Sequence, residues 1–315
     1  MEKAPMKVLR GVIPVVNTTF GDDGKLDLES QVRLVRHLLE EGAHGLALFG
    51  MAGEGYALTD QERRLLLKLI RRETGDSVAL VVGVGHTGLH AAVESCKEAE
   101  DLGADAVMVL PPYLLKPGEE GVFRFFEAIG AAINIPVMVQ DAPLVTQVTM
   151  SAPLLARMLR EIERVRYVKI EAPPTAPKFS AVLELAPGAS LFGGLNGQFL
   201  IEEYERGACG VMPNSDMIRH YVRIWRWLEQ GESEAAWRLF VHILPLIRYE
   251  LQPALGVSAA KHNLVARGII RSARVRPPTG ELDARGLAEL ERLRRWVDQQ
   301  EYSDVPGPLL AGHGN

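Results

Sequence analysis

The sequence predicts an α/β fold: a (β/α)8 TIM barrel with a C-terminal helical extension. Three observations carry this. Eight short apolar runs, many of them β-branched, punctuate the first two thirds of the chain. A stretch of helical character follows each run. Beyond Tyr221 only helical patterns remain. Short, unbroken apolar runs are how parallel strands read when both faces are buried. Eight strand–helix units in roughly 220 residues is the arithmetic of the barrel. A doubly wound sheet would need fewer strands.

The strand-like runs fall at 12–16, 45–49, 78–82, 106–110, 136–139, 167–170, 190–192 and 210–212. The helical patterns between them include 28–41, 59–72, 89–102 and 119–133. Thr59-Asp60-Gln61-Glu62 has the form of a capping box, a hydroxyl three residues before a Glu at the head of an apolar-periodic run. Ser151-Ala152-Pro153 sets a cap and an early Pro at another helix start. The barrel is expected over 9–221 and a helical domain over 222–300, with patterns at 224–229, 232–249, 257–267 and 284–299. The Pro- and Gly-containing tail, 301–315, is expected to be disordered. Trp225, Trp227 and Trp237 cluster in the helical part and read as packing or a subunit interface.

Composition narrows the function class. Of 315 residues, 47% are hydrophobic and 24% charged, which excludes a disordered chain. Lys and Arg number 35 against 40 Asp and Glu, a net charge of −5. The Arg63-Arg64 and Arg71-Arg72 pairs alternate with acids, so they read as solvated helix faces and no nucleic-acid partner is expected. No apolar run approaches a membrane span, and residues 1–11 lack the apolar core of a signal peptide. Two cysteines, Cys96 and Cys209, make neither a disulfide framework nor a zinc cluster, which points to a cytoplasmic protein.

Most lysines sit on polar helices or loops, but Lys169 lies inside the sixth run, Arg166-Tyr167-Val168-Lys169-Ile170-Glu171. A period of two puts Tyr167, Lys169 and Glu171 on one face and Val168 and Ile170 on the other. In a barrel the Val/Ile face meets the helices and the lysine points inward. Burying an ammonium is costly unless it is paired or neutralised. Two readings follow with equal weight: a nucleophilic amine that forms a Schiff base with a carbonyl, or a structural Lys169–Glu171 ion pair. After the second run, Gly50-Met51-Ala52-Gly53 would let backbone amides approach an anion, although a plain glycine turn explains it as well. Gly83-Val84-Gly85-His86-Thr87-Gly88 matches a dinucleotide-binding pattern. The acid that such a site needs at the end of the next strand is missing, because that strand ends in Pro111-Pro112-Tyr113. The eight histidines form no H-E-x-x-H motif, and no metal and no cofactor are expected.

Taken together, the motifs resemble the dihydrodipicolinate synthase / N-acetylneuraminate lyase family over about residues 9–300. The resemblance rests on Gly50-x-x-Gly53-Glu54 with Leu58-Thr59-x-x-Glu62, and on Pro112-Tyr113 with Lys116-Pro117. It continues through Pro143, Val168-Lys169, Gly193-Gly194 and Val275-Arg276-Pro277-Pro278. It implies a cofactor-independent enzyme that binds a small 2-oxo acid or sugar acid as a Schiff base on Lys169, and a homotetramer built as a dimer of dimers. Glu54 reads as structural.

The departures from that family are specific. Its glycine motif usually carries two Thr, which here are Met51 and Ala52. The strand-five Tyr, its acid–base residue, is Gln140, which cannot titrate. The second Tyr of Pro-Tyr-Tyr is Leu114, and the synthases' dicarboxylate-binding Arg is Val145. A carboxylate is then expected to carry the proton: Glu171, on the lysine's own face, or Asp141, at the end of strand five. The candidate catalytic set is therefore Lys169, Glu171, Gln140 and Asp141. The candidate substrate-binding set is Gly50, Met51, Ala52, Gly53, Tyr113, Gly194, Asn196 and Met212. The expected activity is a class I lyase, aldol or dehydrating. The alternatives are the synthase reaction without its hydroxyl relay, or a non-catalytic metabolite-binding descendant.

Overall fold

The computed structural model describes residues 7–299 of the chain; the expected disordered tail, 301–315, lies outside the described residues. Eight parallel strands form one sheet: β1 (Gly11–Val12), β2 (Gly45–Leu48), β3 (Ala79–Val84), β4 (Ala106–Val109), β5 (Val137–Asp141), β6 (Val165–Ile170), β7 (Ser190–Gly193) and β8 (Gly210–Val211). Neighbours in sequence are neighbours in the sheet, and β1 pairs with β8. A bridge from Val15 to Ala47 joins the remaining edges and closes the barrel. β1 is shorter than the apolar run implied because Pro14, which has no N–H, interrupts it.

Strand alternation sorts the side chains into two layers. Val12, Leu46, Leu80, Val107, Val139, Val168 and Leu191 pack outward under the helices. Ile13, Ala47, Val81, Met108, Met138, Tyr167 and Phe192 fill the barrel interior. Tyr167 plugs its floor. Its hydroxyl accepts from the Leu9 amide at 3.1 Å, and its ring meets Phe192 edge-on.

The helices are α1 (Leu28–Glu40), α2 (Asp60–Thr74), α3 (Leu89–Asp101), α4 (Glu119–Ala132), α5 (Pro143–Thr146), α6 (Ala152–Glu161), α7 (Thr175–Leu185), α8 (Leu200–Glu205), α9 (Ile218–Glu229), α10 (Ser233–Glu250), α11 (Gly256–Ala266) and α12 (Ala284–Asp298). The Thr59–Glu62 capping box forms with both of its reciprocal bonds, and Ser151 caps α6. α9 packs on β1 as the barrel's eighth helix, so the anticipated boundary at 221/222 falls inside it. α10 packs against α9, α11 and α12. No helix among the described residues is long and apolar enough to cross a membrane.

A buried ion pair ties the helical extension to the barrel. Lys261 of α11 meets Glu54, and both side chains are wholly buried. The second Glu54 oxygen accepts from the Arg276 amide at 2.9 Å and the Thr279 hydroxyl at 3.2 Å. Glu54 is thus structural, and it anchors the segment that overhangs the barrel mouth.

Candidate active site

Lys169 points into the barrel from β6, 4% exposed. Its amine lies 3.2 Å from Glu171 Oε1. The β5–β6 register sets Gln140 opposite Lys169, and Gln140 Nε2 donates to Glu171 Oε2 at 2.7 Å. The Leu195 amide donates to Glu171 Oε1 at 3.2 Å. One carboxylate therefore receives an ammonium, a side-chain amide and a backbone N–H. These donors offset the cost of burying it in part. Gly194 makes room for this arrangement: a Cβ there would overlap the Glu171 carboxylate. The turn that follows is strained, since Leu195 (φ +47°) and Asn196 (φ +51°) are both left-handed. Such residues cost about 1–3 kcal/mol each and persist where the surroundings over-determine them.

The facing wall is the loop after β2. Gly53 donates to Gly50 O at 3.0 Å and Glu54 to Met51 O at 3.0 Å, which closes a tight turn. Asn17 Nδ2 holds Ala52 O at 2.7 Å, and the Thr18 hydroxyl holds Gly53 O at 2.6 Å. Among the described residues the Met51 and Ala52 amides have no backbone acceptor, and both residues line the cavity. Free amides on a turn form an anion-binding concavity. The cavity above Lys169 has a volume of about 790 Å³, ample for a small acid.

The family model for the dihydrodipicolinate synthetase family matches residues 8–295. The chain belongs to that family. A relative from Azospirillum brasilense, L-2-keto-3-deoxyarabonate dehydratase, is 37% identical over 298 residues, covering 92% of this chain and 94% of the relative. The 4-hydroxy-tetrahydrodipicolinate synthase of Moorella thermoacetica is 35% identical over 242 residues, covering 75% of this chain and 81% of the relative. Among solved structures, dihydrodipicolinate synthase from Rhodopseudomonas palustris superposes with a TM-score of 0.86 at 29% identity, covering 91% of this chain and 97% of that one. The family's members are class I lyases that act on small 2-oxo acids through a Schiff base, and this chain is a lyase of that kind.

Against the family pattern, the barrel mouth gathers most of the anticipated residues. Gly50, Met51, Ala52, Tyr113, Gln140, Lys169, Glu171, Asn196 and Met212 all line the cavity. Gly53 and Gly194 do not. Gly53 shapes its turn, where a Cβ would press on Val16 O at 2.8 Å, and Gly194 stands behind Glu171.

Asp141 needs correcting. It shares the outward face of β5 with Val137 and Val139, wholly buried under the helix layer, with Lys178 Nζ 2.5 Å away. Burial raises its carboxyl while Lys178 opposes the rise. Successive strand residues face opposite ways, so if Gln140 points at the lysine, Asp141 cannot.

Several cavity residues escaped the sequence reading: Arg63, Asn214, Glu250 and Thr279. Glu250 and Thr279 come from the helical extension, and only the fold carries them to the mouth. Arg63 spans from α2 to the carbonyls of Gly55 (3.2 Å) and Gly83 (2.5 Å), with its guanidinium over the Phe49 ring. Helical periodicity alone made it a surface charge.

Proposed function

We propose that the chain dehydrates a 2-keto-3-deoxy sugar acid, with Lys169 as the Schiff-base lysine and Glu171 as the proton carrier. One observation carries the reading. The titratable group beside the amine is a carboxylate on the same strand, 3.2 Å from Nζ, while the strand-five position holds Gln140.

The chemistry follows from that arrangement. The amine of Lys169 adds to the C2 carbonyl, water leaves, and the iminium draws electrons from the C3–H bonds. C3 lies two bonds from the nitrogen, so a base beside Nζ reaches a C3 proton. Glu171 takes it and the enamine forms. The enamine then expels the C4 hydroxyl as water, with the proton returned by the same carboxyl. Hydrolysis of the conjugated iminium releases the dehydrated 2-oxo acid and restores the amine. The substrate carboxylate is held by the Met51 and Ala52 amides, with Gly50 and Gly53 shaping the turn. Tyr113, Asn196 and Met212 flank the chain of the substrate, and Gly194 keeps space for Glu171. Gln140 keeps Glu171 turned to the amine. Retro-aldol cleavage instead requires a base on the C4 hydroxyl, the duty of the family's phenol. The 37% identical relative named as a dehydratase supports the same choice.

The test is product analysis with L-2-keto-3-deoxyarabonate. Dehydration keeps five carbons and loses one water. Cleavage between C3 and C4 would give pyruvate and glycolaldehyde, and would refute the dehydratase reading.

We further propose a homotetramer in the cytoplasm. Leu114, Leu115, Leu144 and Val145 are 56–84% exposed beside the mouth, an apolar cluster suited to a second copy. Cys96 and Cys209 are both free thiols, as a reducing compartment favours. Light scattering that found a stable 34.6 kDa monomer at micromolar concentration would overturn the assembly.

A further inference from the structure

The helical extension reaches the reacting end of the cavity through a chain of buried hydrogen bonds. Leu195 and Asn196 are successive left-handed residues, and the first of them supplies the amide that binds Glu171. Asn196 is tied at three points. Its Nδ2 donates to Glu250 Oε2 at 2.8 Å, its Oδ1 accepts from the Asn214 amide at 2.9 Å, and its carbonyl accepts from the Tyr221 hydroxyl at 2.6 Å. Glu250, at the end of α10, is the hub. The same oxygen accepts from Asn214 Nδ2 at 3.1 Å. Its other oxygen accepts from Asn263 Nδ2 at 3.1 Å, and Asn263 also holds Asp216 Oδ2 at 2.9 Å. Burial, with the Asp216 carboxyl beside it, pushes Glu250 well above the usual carboxylate range. Buried there, its carboxyl offers acceptors to three asparagine amides, those of Asn196, Asn214 and Asn263.

We propose that Glu250 is a positioning residue for the reaction: through Asn196 it clamps the left-handed turn whose Leu195 N–H aims the Glu171 carboxylate. Leu195, Asn196, Asn214 and Glu250 all line the cavity, so the clamp is part of its wall. The inference rests on the reading of Glu171 as proton carrier. Without the clamp the turn relaxes out of the left-handed region, the Leu195 amide leaves Glu171, and the carboxylate is free to rotate away from C3. Lys169, held by its own strand, stays where it is.

The experiment uses pyruvate as the probe, in deuterium oxide. Schiff-base formation, transfer of a C3 proton to Glu171 and return of a deuteron exchange the methyl hydrogens, which proton NMR follows. Borohydride trapping at Lys169 is measured in parallel. Glu250→Gln keeps an acceptor for Asn196 and Asn214, and a half-turn of the Asn263 amide sets its oxygen against the new NH2, so exchange stays near the wild-type rate. Glu250→Leu removes the clamp, and exchange falls on the order of 10²-fold while trapping holds. Should Glu250→Leu fail to fold, Asn196→Gly carries the test. Glycine accepts the left-handed φ but lacks the tether, and the same split is expected.

Wild-type exchange in the folded clamp variant overturns the proposal. So does trapping that falls in step with exchange, or a Glu250→Gln variant as impaired as Glu250→Leu. Glu171→Gln separates the two ideas. If it exchanges C3 normally, the reading of Glu171 itself fails and the proposal falls with it. If it loses exchange and Glu250→Leu does not, only the clamp is refuted.

Discussion

Replacing Glu171 by Gln removes the titratable proton and the charge facing Lys169 while keeping the shape of the side chain. The carboxylate accepts on Oε1 from Lys169 and Leu195 and on Oε2 from Gln140, at 3.2, 3.2 and 2.7 Å. A Gln carbonyl at the Oε1 place keeps the first two contacts. Its amide then faces Gln140, and a half-turn of the Gln140 amide offers an oxygen in place of the nitrogen. The hydrogen bonds are recoverable, but the buried Lys169 loses its counter-charge, so stability is expected to fall by roughly 1–3 kcal/mol. Turnover is different, because no group on the lysine's face can then take the C3 proton. Loss of acid–base help costs typically ~10²–10⁴-fold, which is roughly 2.7–5.4 kcal/mol of barrier. The assay pairs turnover of a 2-keto-3-deoxy acid with borohydride trapping at Lys169. Turnover is expected to collapse while trapping persists. Unchanged turnover would show that the proton travels by another route. Joint loss of trapping and turnover would make Glu171 a support for the lysine and nothing more.

Three further outcomes follow from buried charges. Asp141→Asn, on the outer face of β5, is expected to leave turnover intact and to lower stability by roughly 1–3 kcal/mol, as Lys178 loses its counter-charge; a collapse of turnover in a well-folded variant would return Asp141 to the site. Lys261→Met strands Glu54, wholly buried, and should cost about 3–5 kcal/mol in denaturant unfolding, partly recovered by adding Glu54→Gln; a neutral single variant contradicts the anchoring role. Glu203, behind Gly193, is pushed by burial from its ordinary 4.5 to about 8. The folded chain therefore keeps a proton that the unfolded chain releases. Its contribution is fully present below 4.5 and is lost as pH rises to about 8, at up to about 1.4 kcal/mol per pH unit. Glu203→Gln should flatten that decline in melting curves taken at pH 5 to 8, and an unaltered slope would rule it out.

The barrel was legible because burial on both faces writes strands as apolar runs, and because each run was followed by a helical segment. The inward lysine was legible for the same reason: Val168 and Ile170 must face the helices, so Lys169 and Glu171 share the other side. Strand alternation was also the signal that should have removed Asp141 once Gln140 was given to the interior. Lys261 shows where sequence stops. On a helix it looks like any surface lysine, yet it is the more deeply buried of the two, at 0% against 4% for Lys169. Its partner, Glu54, is more than 200 residues away in the chain. Glu250 and Asn214 were invisible on the same ground, since their meaning lies in contacts between the barrel and the helical extension. Leu195 is not itself a turn residue, although Gly194, Asn196 and Gly197 surround it; tertiary bonds rather than its own preference hold it left-handed.

The most direct measurement is covalent. Incubation with a 2-keto-3-deoxy acid, reduction with borohydride and peptide mapping should place a single adduct on Lys169, absent from Lys169→Ala. Adducts spread evenly over surface lysines, or none across a broad panel of 2-oxo acids, would contradict a Schiff-base enzyme built on this residue.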